Sequence, residues 1–291
     1  MRYQTVGLIG KPDHAGTKSS LQTLVTYLNS KNCSVLVASN IANDVESGEF
    51  SSSSVVEIGE HADLAIVVGG DGNMLGAARI LARYNIHVVG VNRGKLGFLA
   101  DISPDEIEQQ LDSLMAGKWH VEDRFLLEVK VTRNGELIHK NTAVNEVVLH
   151  HGKVAHMMQF EIFLDDHFVS SQRADGMIVA TPTGSTAYSL SGGGPILMPT
   201  LDALTLVPMF PHTLTSRPIV VDAKRRITMH VSTENSDSLQ VSCDSHIELP
   251  VKPGDFVSVQ KCNERLRMVH SDSYDYFTVL RKKLNWGSKP F

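Results

Sequence analysis

The 291-residue chain is 42% apolar and 20% charged, the balance of an ordinary folded protein with room for one or two domains. A formal charge of −5 argues against nucleic acid as the main partner, because phosphate backbones recruit basic faces. Three cysteines (Cys33, Cys243, Cys262) without CxxC spacing give neither a disulfide framework nor a zinc knuckle. No apolar run approaches the ~20 residues of a membrane span.

The chain opens at Met1–Thr5 and enters a strand with no secretory h-region, so a cytoplasmic location is expected. Val6–Gly10 reads as a buried strand ending at Lys11-Pro12. Leu21, Leu24, Val25 and Leu28 recur at helical spacing within Thr17–Leu28. Cys33–Val37 is a second strand, and Ser47–Phe50 with the serines after it reads as a loop. A strand at Leu64–Val68, a helix from Asn73 to about Arg83 and a strand at His87–Val91 follow. Alternating strands and helices predict a parallel sheet covered by helices.

Ser103-Pro104-Asp105-Glu106 carries the signature of a capping box with proline at the first helical position. It predicts a helix that stops at Gly117. Beyond it the period switches to two. Short strands are expected at 125–132, 136–140, 144–150, 159–164, 167–171 and 177–180, with Asn134-Gly135 as a hairpin turn. More are expected at 204–207, 218–221, 227–232, 239–243, 256–260 and 265–269, a sandwich-like pattern. Tyr276, Val279, Leu280 and Leu284 mark one face of a final helix. The reading is an α/β domain over 1–100 and a β-rich domain over 101–272. The final helix, about 273–285, is compatible with packing on either.

The stretch with most chemistry is Val67-Val68-Gly69-Gly70-Asp71-Gly72-Asn73. Glycines where a strand meets a helix let backbone N–H groups approach a phosphate, aided by the helix N-terminus. Asp71 would repel that phosphate unless it holds a metal or takes a proton. Gly70, Gly72 and Gly76 approximate a dinucleotide motif, but the next strand ends Val91-Asn92-Arg93 without the required acid. Gly90–Lys95 is one residue short of a P-loop and is followed by Leu96.

A second glycine cluster runs from Thr181 to Pro195. Its hydroxyls suit a polar ligand, and Tyr188 offers a ring to a base. A serine-hydrolase elbow is absent, because Ser185 does not sit in G-x-S-x-G. Asn145-Glu146 interrupts a strand. Thirteen histidines include His150, His151 and His156, but the first two alternate across a strand and do not readily share a metal.

Gly69-Gly70-Asp71-Gly72, Asn145-Glu146 and Thr183-Gly184-Ser185-Thr186-Ala187-Tyr188, in this order, resemble NAD kinase of the gamma-proteobacterial type. Asn92 to Leu99 resembles it too, and the likeness runs from about Val6 to the C-terminus. It implies an N-terminal Rossmann-like, phosphofructokinase-like α/β domain and a C-terminal β-sandwich-like domain that binds NAD⁺ and oligomerises. The implied reaction transfers the ATP γ-phosphoryl group to the 2′-hydroxyl of the adenosine ribose of NAD⁺, giving NADP⁺. Asp71 fits as the base, and Mg²⁺ or another divalent cation would offset the triphosphate charge.

By the same resemblance, N–H groups near Gly72 hold phosphate oxygens, and Phe98 falls near the adenine. Asn145 and Glu146 take the adenosine ribose or the adenine edge, and Asp175 the nicotinamide side. Thr186, Ala187, Tyr188, Ser189, Leu190 and Ser191 line the base pockets. His156 and Arg173 map to ligand contacts from a neighbouring subunit, and Arg173 resembles members selective for NAD⁺ over NADH. His246 stands where the family usually has glutamine, and Gly76 where many members have arginine. No residue is assigned as a metal ligand. A homodimer or homotetramer is implied, without nucleic acid or membrane partners. A lipid kinase of the GGDG superfamily and a non-catalytic NAD(P) sensor are the alternatives.

Overall fold

The structure, a computed structural model, describes residues 3–93, 97–152, 156–236 and 238–287. They form two compact units, Met1–Asp123 with Arg265–Phe291, and Arg124–Glu264. The first unit therefore extends past the division expected near residue 100. The reason is local: Ile102 bridges Val91 in parallel, which keeps the segment after it on the first sheet.

In the first unit, β1 (Thr5–Gly10), α1 (Ala15–Ser30), β2 (Ser34–Ala38), β3 (Ser51–Ser53), α2 (Val55–His61), β4 (Leu64–Gly69), α3 (Asp71–Leu81), β5 (His87–Asn92) and α4 (Ile107–Met115) follow in order. The strands pair in parallel in the order β5-β4-β1-β2-β3. α1 packs with α4 and α2 with α3. Every residue of β4 is buried, as an unbroken apolar strand between helices requires. The helix Tyr276–Leu284 belongs to this unit, with Asp275 capping its first amides.

Two expectations for this unit need correcting. The serine run is not a plain loop, for it forms β3 and then caps α2. Ser54 and Glu57 form a reciprocal capping box there, and Ile58 is fully buried. Ser103, by contrast, makes no side-chain cap bond. Pro104–Glu106 is a 3₁₀ turn that leads into α4.

The second unit holds most of β6 (Trp119–Arg133), then β7 (Glu136–Ala143), β8 (Glu146–His151), β9 (Met158–Leu164), β10 (His167–Ala174), β11 (Gly176–Ala180), β12 (Ala203–Met209), β13 (Ile219–Asp222), β14 (Ile227–Val231), β15 (Leu239–Cys243), β16 (Ile247–Val251) and the first part of β17 (Phe256–Ser271). The two strands expected at 256–260 and 265–269 are thus one. An antiparallel sheet runs β13-β12-β11-β8-β15-β16, and a second layer runs β10-β9-β14-β17, with β6 and β7 beside it. Alternate side chains of both layers, among them Leu127, Val147, Phe160, Met177, Met229 and Val257, fill one core. Asn134 and Gly135 take φ of 51° and 82° at the β6–β7 turn, the positive values such a hairpin needs.

Candidate active site

In the first unit, the carboxyl ends of β1, β4 and β5 lie side by side. β1 connects to α1 and β2 on one side, whereas β4 pairs on its other side. The order in which strands are added to the sheet thus reverses between β1 and β4. Loops at such a reversal open a crevice for ligands. Here they make a cleft of about 240 Å³, lined by Lys11 after β1, His14, Thr17, Gly69, Gly70, Gly72 and Asn73 after β4, and Arg93 after β5. Gly70 caps α3 without a side-chain bond, and the Asn73 N–H turns back to the Gly70 carbonyl, so the Asp71 and Gly72 amides at the start of an 11-residue helix remain for a ligand. The charges of Lys11 and Arg93, with a helix N-terminus beside them, select an anion.

Asp71 is the first residue of α3, two positions earlier than the expected helix start. Its Oδ2 accepts the Phe98 N–H at 2.9 Å and its Oδ1 the Leu99 N–H at 3.1 Å. The fit leaves no room for a side chain at Gly97, where a Cβ would lie 2.1 Å from Asp71 Oδ1. Asp71 is half-buried and Gly72 exposed. Phe98 is half-buried, with Lys283 Nζ 5.4 Å from its ring centroid. Gly94, Lys95 and Leu96 of the same motif lie outside the described residues.

In the second unit the interrupted strand turns on Asp244, which is buried and has φ of 50°. Its carboxylate accepts the N–H groups of Val144, Asn145 at 2.7 Å and Glu146 at 3.3 Å. The Thr181 hydroxyl donates to the Val144 carbonyl at 2.7 Å, and Gly184 lies so close that a Cβ would meet the Asn145 carbonyl oxygen at 2.1 Å. The glycine-serine segment is therefore locked onto Asn145-Glu146. Both side chains are buried, and neither Asn145 Oδ1 nor Glu146 Oε2 has a hydrogen-bond partner among the described residues. Burial, and then the Asp244 charge, push the Glu146 carboxyl up to about 8 against the pull of the Tyr188 backbone N–H.

Beside this corner, a cleft of about 530 Å³ brings together His156, Asp175 and Tyr188 of the expected residues. Thr186 and Ala187 are half-buried, as is Leu190, and Ser191 is exposed. Ser189 is fully buried, and its hydroxyl meets that of Thr205 at 3.3 Å. Arg173 is exposed on β10, and its carbonyl accepts the His212 N–H. His246 Nδ1 contacts the Asp244 carbonyl oxygen. The cleft also takes in His150, His151, Phe210 and Ser242, which sequence reasoning did not place there. Their signal is the register, since Gly176 pairs with His150 and so sets Asp175 beside it. Among the described residues, no cluster of three His, Cys, Asp or Glu could hold a metal.

Residues 6–119 match the ATP-NAD kinase N-terminal domain, and residues 144–271 match its C-terminal domain. This chain belongs to the ATP-NAD kinase family. It is accordingly an enzyme, an ATP-dependent kinase that phosphorylates NAD to NADP. Curated relatives agree along almost the whole length. The NAD kinase of Shewanella frigidimarina is 57% identical over 99% of this chain and 93% of its own. That of Pseudoalteromonas translucida is 56% identical over 99% and 98%. Two solved structures share the fold at 24% identity. A yeast NADH kinase complexed with NADH has a TM-score of 0.88, covering 98% of this chain and 88% of that one. An NAD kinase from Archaeoglobus fulgidus in complex with ATP has a TM-score of 0.74, covering 97% and 100%. Among the described residues, no helix of this NAD kinase family member is long and apolar enough to cross a membrane.

Proposed function

We propose that Asp71 accepts the proton of the 2′-hydroxyl on the adenosine ribose of NAD⁺ as that oxygen takes the γ-phosphoryl group of ATP. The O–P bond to ADP breaks as the new one forms, giving NADP⁺ and ADP. One observation carries this reading. Asp71 sits between Gly70 and Gly72, which line the basic cleft, and the Phe98 and Leu99 amides hold its carboxylate in one orientation. Each oxygen accepts one backbone N–H and keeps a further acceptor site for a hydroxyl. A ribose hydroxyl needs such an acceptor, and a loose transition state asks only for late proton removal.

Lys11, His14 and Arg93 would hold the triphosphate, with the first-turn amides of α3. A divalent cation, magnesium or another, supplies charge neutralisation to the phosphoryl oxygens. Asn145 and Glu146 would hold the adenosine ribose or the adenine edge, and Asp175, Tyr188 and His156 the rest of NAD⁺ in their cleft. Phe98, Arg173, Thr186, Ala187, Ser189, Leu190, Ser191 and His246 keep their implied ligand roles as part of the same proposal. So does the assignment of phosphate chemistry to the first unit and NAD⁺ binding to the second. A cytoplasmic homodimer or homotetramer goes with the reading, supported by exposed Phe168, Val169 and Phe256 on the second unit.

The test is a purified-protein assay with ATP, Mg²⁺ and NAD⁺, expected to yield NADP⁺ in the wild type and almost none in Asp71→Asn. Equal product from both would remove Asp71 as the base. Nucleotide binding without product in the wild type would leave a sensor.

A further inference from the structure

We propose that Asn92 and Asp101 are the protein ligands of the divalent cation that travels with the triphosphate. The inference rests on the phosphoryl-transfer reading above. It begins in the register where β5 meets the segment after Phe98. Val91 bridges Ile102 in parallel, with the Asn92 N–H donating to the Ile102 carbonyl at 2.9 Å and the Ile102 N–H to that of Gly90 at 3.1 Å. Side chains alternate along such a pair. Val91 and Ile102 are buried on one face. Asn92, Asp101 and Ser103 therefore share the other. These three line a cleft of about 450 Å³ with His14 and Arg93, the same basic residues that line the glycine cleft.

The oxygens on this face are unusual. Asn92 is 8% exposed, and its Oδ1 accepts no hydrogen bond from the described residues; nor does Asp101 Oδ1. A buried acceptor left without a donor is costly, so two on one face call for a ligand. The other oxygen of Asp101 is occupied. His270 Nδ1 lies 2.8 Å from Oδ2, and with a carboxylate as acceptor that nitrogen is the donor. His270 is itself buried and stacks on Tyr274 at 3.9 Å between ring centroids. A carboxylate held on one oxygen, with the other left without a donor, is how supporting residues orient a metal ligand.

A hard cation suits the pair better than another partner. Magnesium takes one or two carboxylate or carbonyl oxygens, several waters and phosphate oxygens, without an all-protein cage. Arg93 beside the pair repels a bare cation, so the metal enters only with the phosphates that this guanidinium attracts. The site is completed by its substrate.

The test titrates the full chain with a non-hydrolysable imido analogue of ATP in a calorimeter, in Mg²⁺ and then in EDTA, while thermal melting and NAD⁺ binding verify the fold. Wild type should bind the analogue about tenfold or more tightly with Mg²⁺, and Mn²⁺ alone should bind weakly. Asp101→Asn and Asn92→Leu should lose most of that metal-dependent gain and keep their affinity in EDTA. Asn92→Asp, which adds charge in the same shape, should enlarge the gain, and it serves if the other variants do not fold. Retention of the full gain in folded Asp101→Asn and Asn92→Leu, or no increase in Asn92→Asp, overturns the proposal. A wild type that binds no analogue under either condition would overturn the phosphoryl-transfer reading itself.

Discussion

Glu146 and Asp244 share one buried corner but differ in how their oxygens are satisfied. Asp244 collects three successive backbone N–H groups, from Val144, Asn145 and Glu146, and is a well-bonded anion. Glu146 lies 2% exposed with Oε2 lacking a partner among the described residues. Burial and the neighbouring charge raise its carboxyl to about 8 from an ordinary 4.5. The corner is built to hold one negative charge, and a ligand hydroxyl would find a neutral carboxyl there.

That pairing predicts the pH dependence of stability. Between pH 4.5 and about 8 the unfolded chain ionises Glu146 and the folded chain keeps it protonated. The folded state then binds more protons, so this contribution is fully present below 4.5 and is lost as pH rises through about 8. The loss should be on the order of a few kcal/mol. Urea unfolding at several pH values should show Glu146→Gln with a flatter profile than wild type across this window. Parallel profiles would show that Glu146 ionises normally in the fold.

Asp71 and Gly97 make a second linked pair. Asp71→Asn is expected to lose most turnover while NAD⁺ binding persists. Gly97→Ala is the sharper probe, because its Cβ would intrude to 2.1 Å from Asp71 Oδ1 and push the carboxylate off its two amides. We expect kcat to fall by about tenfold or more, since displacing a reacting group by an ångström has costs of that kind. KM for NAD⁺ should change little. A normal kcat in Gly97→Ala would mean that the position of this carboxylate is unimportant.

The elements with a strong period were legible in the chain. Leu64–Val68 into α3, and the Asn134-Gly135 turn, needed only local physics. α2 was not, because its seven residues bury just Ile58 and Gly59, too few for a helical period, and its cap lies within a run of serines. Ser103 misled for the opposite reason. Its spacing to Glu106 is that of a capping box, but the chain there must first follow Ile102 along β5 and enters α4 through a 3₁₀ turn. The site divides the same way. Glycines around Asp71 and the Thr181–Pro195 cluster announce themselves. Lys11, His14 and Arg93 look like ordinary surface residues until parallel strand order sets their loops together.

Tyr188 is 41% exposed on the wall of the second-unit cleft, while its backbone N–H serves Glu146. Truncation to alanine keeps the backbone contact and removes the ring. Tyr188→Ala should therefore raise KM for NAD⁺ about tenfold, with a smaller effect on kcat, as loss of a base-stacking face does. An unchanged KM would take the ring out of the NAD⁺ site.

Arg173 sits exposed on β10 opposite Gln159 and does not line that cleft within its own chain. If it acts from a neighbouring subunit, Arg173→Ala should relax discrimination against NADH only in the assembled oligomer. Steady-state rates with NAD⁺ and NADH, taken above and below the dissociation concentration, decide this. Discrimination that survives the substitution would place selectivity elsewhere.

Arg93 separates the two substrates most cleanly. Its Nε donates to Ser20 Oγ at 2.7 Å, which anchors the guanidinium against α1 as it lines the basic clefts. Arg93→Gln removes the charge but preserves a donor for Ser20, so the fold should hold. The loss falls on the phosphate side alone: KM for ATP should rise by about tenfold or more, as expected when a charge-assisted phosphate contact is removed, and KM for NAD⁺ should stay near wild type. The effect should also shrink as salt is raised, because a cation facing solvent-filled space is screened over about 10 Å at 0.1 M ionic strength. A rise in KM for NAD⁺ instead would put the nicotinamide substrate, and not the phosphoryl donor, in the cleft at the ends of β1, β4 and β5.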